Sequence, residues 1–340
     1  MHTSGYQLVS GIFFAVVATL SWALNFIAPL VTGAYSIFDL LALRFVIAGL
    51  LGLALMIIHW PAVIGLSWRS RMTALALGNI GYLGYSATIA GGVTFGGPVL
   101  TPAFIGTVPV LLALLGNAKA KIVPWRRLWL PLVLLSAGLL LINVSSSLGS
   151  SATPSLRLGL IFSAIAVGLW LAFSLLNQFS LDKVATNATA AWTGLMMLGS
   201  ALGTLLMLPW GLQLGLFELP KRGFGFSQAG PLYAWALLIA VFSSVVGAWA
   251  WNQASRSLPM VLSGQLIALE SFFATLLGLF IHQRFPSLPE AAGLLAVLAG
   301  ATVAVHIILT INARQERKAK QEIGCGDKKE ARSSGPLNVK

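Results

Sequence analysis

The chain has 340 residues, 57% of them hydrophobic and only 9% charged, and a mean hydropathy of +0.86. That leaves too little polar surface to coat a core, which excludes a soluble globular protein. The net charge of +12 does not point to nucleic acid, because most of the basic residues sit in short loops or in the tail "RQERKAKQEIGCGDKKEARSSGPLNVK", where they set membrane topology and face anionic lipid.

Apolar runs of about 20 residues, enough to cross roughly 30 Å of hydrocarbon, recur along the chain. In chain order the expected spans are 8–31, 37–58, 72–91, 98–116, 128–144, 158–179, 188–209, 232–254, 260–281 and 289–311. The first is read as a span and not a cleaved signal. No Lys or Arg precedes it, and it is too long for the apolar core of a signal peptide. Gly and Pro place turns at "GGVTFGGP" and "SRSLP", where neighbouring spans abut. The fold class is therefore all-α and polytopic, with ten transmembrane helices.

An even number of spans puts both termini on one face. If that face is cytoplasmic, its loops hold Arg69, Arg71, Lys119, Lys121, Arg126, Arg127, Lys183 and Arg256, before the tail is counted. Opposite lie only Arg157, Lys221, Arg222 and Arg284. The bias favours cytoplasmic termini. The single cysteine, Cys325, lies in the tail and excludes a disulfide framework.

The chain also repeats. "GIFFAVVATLSW" (11–22) lies on "GLIFSAIAVGLW" (159–170) at an offset of 148, and "PVLTPAFIGTVP" (98–109) on "PMVLSGQLIALE" (259–270) at 161. Two five-span halves follow, 8–144 and 158–311, with a basic tail, 312–340, expected to be disordered and cytoplasmic. An odd number of crossings makes the second half enter from the other face, so the repeats are inverted. Such an arrangement suits alternating access.

Two charges lie inside spans. Glu270 stands about 15 Å into the ninth, where an unpaired carboxylate facing lipid costs several kcal/mol. Three roles are open to it: a protonation switch for coupling, an ion pair, or a backbone contact that opens a helix. Arg44 lies roughly 10 Å into the second span, and its neighbour Asp39 is five residues back, about 140° away around the helix. Arg44 therefore looks to another helix, a substrate carboxylate or lipid headgroups.

Polar and aromatic residues at helical spacing are the substrate-binding candidates: Trp22 with Asn25, Asn79 with Tyr82, Trp170 with Asn177, Trp249 with Asn252, and Gln265. Flat apolar walls with a few donors and acceptors suit a small solute. The same residues also serve as interhelical glue or interfacial belts. Pro102 and Pro109 interrupt the fourth span and are candidates for bending during gating. Gly78, Gly81 and Gly84 form a ladder suited to close helix packing.

The motifs "LSWALNFIAPL", "LALRF", "GTVPVLLALL" and "WNQASRSLP", in that order over residues 8–311, resemble the drug/metabolite transporter superfamily of the EamA type. The run "ALESFFATLLGLFIHQRFP" brings the chain nearest its YtfF-like branch of inner-membrane proteins. The resemblance implies a secondary carrier of small organic solutes, often an exporter of amino acids or related metabolites. It also implies a central cavity lined by spans 1, 3, 4, 6, 8 and 9. The chain departs from the common pattern where relatives carry a "GE" pair, reading "GNAKAK" and "IHQRF". Glu270 stands where most relatives have a proline, the counterpart of Pro109.

Two other classes fit less well. A membrane enzyme needs a nucleophile with its base or a metal cluster, yet His2, His59, His282 and His306 are scattered and no zinc or hydrolase motif occurs. A channel needs a charge ring or carbonyl filter. The expected partners are a small-molecule solute, the lipid bilayer and protons as a coupling ion. No cofactor, metal or nucleic acid is implied.

Overall fold

Lipid offers a backbone no hydrogen bonds, so a chain of this composition closes its ladders within helices. The computed structural model describes residues 5–145 and 155–333; residues 1–4, the junction at 146–154 and the last seven tail residues lie outside them. Ten long helical runs follow one another: α1 (Gly5–Val31), α2 (Ile37–Ile58), α3 (68–97), α4 (Leu100–Ala120), α5 (Trp125–Ile142), α6 (Leu156–Leu181), α7 (Thr186–Gln213), α8 (Phe226–Ser257), α9 (Met260–Ile281) and α10 (Leu288–Arg314).

Among the described residues, nine of these are long and apolar enough to cross a membrane. The run that falls short is α3, the expected third span. It is helical, but Gly78, Asn79, Gly81, Tyr82, Gly84, Tyr85 and Ser86 thin its apolar content. The last helix runs from Leu288 to Ser333, and the stretch "RQERKAKQE" within it is rich in good helix formers.

Both expected joints are present. The chain leaves α3 at Gly97, whose φ of +81° is open to glycine but strained for other residues. Leu258 and Pro259 are extended between α8 and α9.

The helices pack in a paired pattern: α1 on α8, α3 on α6, α2 on α7, α4 on α9 and α5 on α10. Small residues allow the approach. Gly11 of α1 meets Ser257 and Leu258 at the end of α8, while Gly159 of α6 meets Gly96 at the end of α3. In the glycine ladder, a methyl at Gly78 would strike the Met196 carbonyl of α7, and one at Gly81 would strike the Phe173 ring of α6.

Among the described residues, four helices carry irregularities that repeat. Wider π-turns occupy Asn79–Gly84 in α3 and Ala240–Val246 in α8, starting 161 residues apart. The ladder breaks at Gly106–Thr107 in α4 and at Ile267–Ala268 in α9, again 161 apart. In addition α1 tightens to a 3₁₀ stretch at Ala23–Ile27.

Asp39 anchors the start of α2. Its carboxylate accepts from the backbone N–H of Ser36 (2.9 Å), Glu218 (2.9 Å) and Leu219 (3.1 Å), tying the loop before α8 to the α2 N-terminus. Buried charge-assisted bonds of this kind carry about 1.5–3 kcal/mol each before solvation is offset. Asp39→Ala should therefore lower the stability of the detergent-solubilised protein by about 3 kcal/mol. Thermal melting followed by size-exclusion chromatography measures it, and a melting point equal to the parent's would contradict the anchor.

Candidate functional site

The π-turn of α8 creates the site's centre. A π-turn widens the helix and loosens one rung of its ladder. There Trp22 donates its indole N–H to the Ser243 carbonyl at 3.1 Å. The Ser243 hydroxyl donates to Asn25 Oδ1 at 2.8 Å, which lies in the 3₁₀ stretch of α1. From α2, Arg44 donates through Nε to Ser244 Oγ at 2.7 Å and through Nη2 to Ser243 Oγ at 3.3 Å. Arg44 is only 4% exposed. Of the partners open to it in the sequence, the structure gives it another helix.

An aromatic wall adjoins this network. The Trp22 ring stands edge-on to Trp170 with centroids 5.2 Å apart, and Trp251 lies 5.3 Å from Trp22. Tyr85 lies 4.6 Å from Trp170, and Phe173 links Trp170 to Tyr82. Tyr82 Oη, Trp170 Nε1 and Ser174 Oγ, on or beside this wall, and Gln265 Oε1 of α9 are buried polar atoms with no partner among the described residues. Buried polar atoms are normally bonded, so these are the groups free to meet a solute or water. The other end of the Gln265 carboxamide is spent on the Val261 carbonyl at 2.9 Å.

Glu270 is in the first turn of the second half of α9, where the helix dipole favours a negative charge. Its counterpart Pro109 opens the second half of α4 in the same way, a place where proline's missing N–H costs nothing. The half-helix that begins with Glu270 packs on the 3₁₀ stretch of α1. Its carboxylate is within electrostatic reach of Arg44 and Tyr85, but no ion pair of 4 Å or less joins it to Arg44.

The other expected residues go elsewhere. Asn177 and Asn252 are bonded to each other (Asn177 Nδ2 to Asn252 Oδ1, 2.8 Å). Trp192 Nε1 donates to Asn177 Oδ1 at 3.0 Å, and Asn252 Nδ2 to Thr193 Oγ1 at 2.9 Å. Asn79 donates to the Leu75 carbonyl and turns its amide oxygen toward Gly203 of α7. Trp249 is edge-on to Phe14 at 5.3 Å, a contact between α8 and α1. Pro102 precedes the break in α4, which opens on a cleft of about 450 Å³ lined by Ala103, Phe104, Thr107 and Leu111 of α4 and by Ala164 and Val167 of α6.

Sequence reading missed Ser243, Ser244, Tyr85 and Trp251. The serine pair in "VFSSVVGAW" was the available signal: adjacent hydroxyls inside an apolar run, with a buried arginine elsewhere in need of acceptors.

Along 88% of its length the chain is 28% identical to the inner membrane protein YtfF of Escherichia coli strain K12, covering 96% of it. The chain is similar to YtfF. This agrees with the YtfF-like resemblance carried by the motifs: YtfF is named as an inner membrane protein, and this chain is polytopic and helical. No protein-family model matches the chain. A solved crystal structure shares the fold with a TM-score of 0.70 at 20% identity, over 87% of this chain and 96% of that one.

Removing one serine tests the centre. Ser244→Ala leaves the Arg44 Nε donor unpaired in a buried place, a loss of about 2–3 kcal/mol, whereas Ser244→Thr keeps the hydroxyl and should lose less than about 1 kcal/mol. Equal melting temperatures for the two variants would show that the hydroxyl does not hold Arg44.

Proposed function

We propose that the chain is a secondary carrier of the EamA type within the drug/metabolite transporter superfamily. It moves a small organic metabolite, an amino acid or related solute, across the inner membrane by alternating access, with export the favoured direction. The observation that carries this reading is the repetition of helix irregularities. Two π-turns and two breaks recur at one spacing of 161 residues, and those of α3, α8 and α9 bring Tyr82, Ser243, Ser244 and Glu270 to a buried polar and aromatic centre.

The packing pattern supports inverted five-helix repeats. Exchanging each helix with the one five places on converts the α1–α8 pair into α6–α3, and it maps α2–α7, α4–α9 and α5–α10 onto themselves. All five pairs are present. Broken helices at mid-depth are tolerated where they line a polar cavity. The cavity wall supplies flat aromatic surface, while Tyr82, Trp170, Ser174, Gln265 and Glu270 supply donors and acceptors.

Counterflow in vesicles tests the class. Saturable exchange of a loaded solute marks a carrier, ohmic current a channel, and an altered product an enzyme. A metabolite screen of media from overexpressing and deletion cells supplies the candidates.

Glu270 is the proposed coupling residue, with the proton as its ion. Glu270→Gln should abolish solute movement driven by a pH gradient, at least tenfold, while exchange at equal pH persists. Unchanged gradient-driven uptake would leave uncoupled, facilitative movement as the reading. Both termini are proposed to be cytoplasmic, because the ends of α6 and α8 that carry Lys183 and Arg256 lie beside the start of α1. Tags at the two termini should be protected together in right-side-out vesicles; opposite labelling would remove the inverted repeat.

A further inference from the structure

Two groups of helices face each other across the centre, α1, α8 and α9 on one side and α3, α4 and α6 on the other. They touch at the centre through Trp22 and Trp170, and beyond it, among the described residues, they are packed together at one end. At the end that holds the start of α1, the α6 and α8 termini are joined by side chains. Gln178 Nε2 donates to the carbonyls of Ser255 (3.2 Å) and Leu258 (3.1 Å). Arg256 Nη1 donates to the carbonyls of Leu181 (3.0 Å) and Val184 (2.8 Å), and its Nη2 to that of Ala185 (3.2 Å). The Asn177–Asn252 bond lies one turn further in. At the same end Gly116 of α4 meets Met260 and Val261, and Gly264 of α9 meets Leu112 and Ala113.

At the opposite end, among the described residues, no comparable packing joins 23–31 of α1 to the end of α3, or the first half of α4 to the second half of α9. The repeat offsets name the residues that would close it. Asn177 and Gln178 correspond to Pro29 and Leu30 at offset 148; Asn252, Ser255 and Arg256 correspond to Gly91, Thr94 and Phe95 at 161. Pro29, Leu30 and Thr94 are exposed, whereas Asn177, Asn252 and Ser255 are buried. None of the five counterparts except Thr94 has a side-chain hydrogen-bonding group.

We propose that Gln178 and Arg256 form a one-sided latch. It holds the α6 and α8 ends together and makes the state open at the opposite end the resting state. The mirror gate, closed by Leu30 against Thr94 and Phe95, is apolar and has no latch. The inference rests on the two-state carrier reading, since a gate needs a second state to exclude. Two arrangements of one chain differ by a few kcal/mol, so a handful of bonds present in only one of them sets which is populated.

The test uses the full chain in native membranes with Cys325→Ser, so that introduced thiols are the only ones. Leu30→Cys with Thr94→Cys reports closure of the mirror gate through a short bifunctional thiol reagent. Cross-linking should be slow in this background and rise about tenfold when Gln178→Ala or Arg256→Gln is added, as expected when one or two bonds of ordinary strength are lost. In the reverse arm, tethering the Leu30→Cys and Thr94→Cys pair should raise alkylation of a third thiol, Ser255→Cys. The conservative Gln178→Asn serves as the variant least able to disturb folding, and should act in the same direction.

Fast cross-linking before the latch is cut overturns the proposal. So does a rate unchanged by either latch variant, or a Ser255→Cys alkylation rate that ignores the tether. Because the readout is proximity and not transport, a tenfold shift in a chain that moves no tested solute would support the latch and its two states and place the failure in the proposed solute class.

Discussion

A helix that loses a rung of its ladder inside lipid exposes backbone groups that no solvent will satisfy, so it must find its partners within the protein. The bond from Trp22 Nε1 to the Ser243 carbonyl meets that requirement in α8, and much of the centre follows from it. The π-turn brings both Ser243 and Ser244 to bear on Arg44 of α2. It also draws Asn25 in through the Ser243 hydroxyl. With Trp22 fixed by this bond, its ring is presented edge-on to Trp170, which joins the first half of the chain to the second. A buried arginine and a distorted helix, each costly alone, offset one another here.

The same logic explains where the chain could be read from its sequence and where it could not. Nine apolar crossings were legible because lipid selects for continuous hydrophobic runs, and the turns between abutting helices were legible because Gly97 and Pro259 announce them. The third run was overestimated: its glycines and tyrosines face helices and a polar centre, so the hydropathy that lipid demands is not demanded there. The offset of 161 residues, read from a loose match between 98–109 and 259–270, turned out to align helix breaks and π-turns as well. The break in α4 was announced by Pro102 and Pro109, but the π-turns had no sequence signal, since α3 reaches its π-turn through "NIGYLG" and α8 through "AVFSSVV".

Residue roles were harder to read than helices. Helical spacing put Asn177 and Asn252 on faces that point inward, and inward they are, but each spends its amide on the other and on Trp192 and Thr193. Periodicity reports direction and does not report whether a neighbouring helix supplies a partner. Asn79 shows the same limit, since its amide returns to its own helix and fills the space left by Gly203. Tyr82, Trp170 and Gln265 keep an unpaired polar atom, and only the assembled structure separates them from the others.

The relation between Arg44 and Glu270 follows from this division. Arg44 is committed to two hydroxyls on α8, so its position belongs to the α2–α8 contact. Glu270 belongs to the half of α9 that packs on α1; its backbone N–H donates to the Ile267 carbonyl, and among the described residues its carboxylate has no hydrogen bond to hold it. Within a protein of effective dielectric near 20, two opposite charges at contact attract by about 4 kcal/mol, and less as they part. A separation beyond ion-pair distance therefore leaves an ionised Glu270 a weaker attraction to Arg44 than a direct pair would have. A direct ion pair would clamp α9 to α2, and an apolar residue at 270 would leave α9 indifferent to the arginine. With the carboxylate beyond ion-pair distance of Arg44, a proton gained or lost at Glu270 would change the attraction between α9 and α2 without breaking a bond, which is what the coupling role proposed for Glu270 requires.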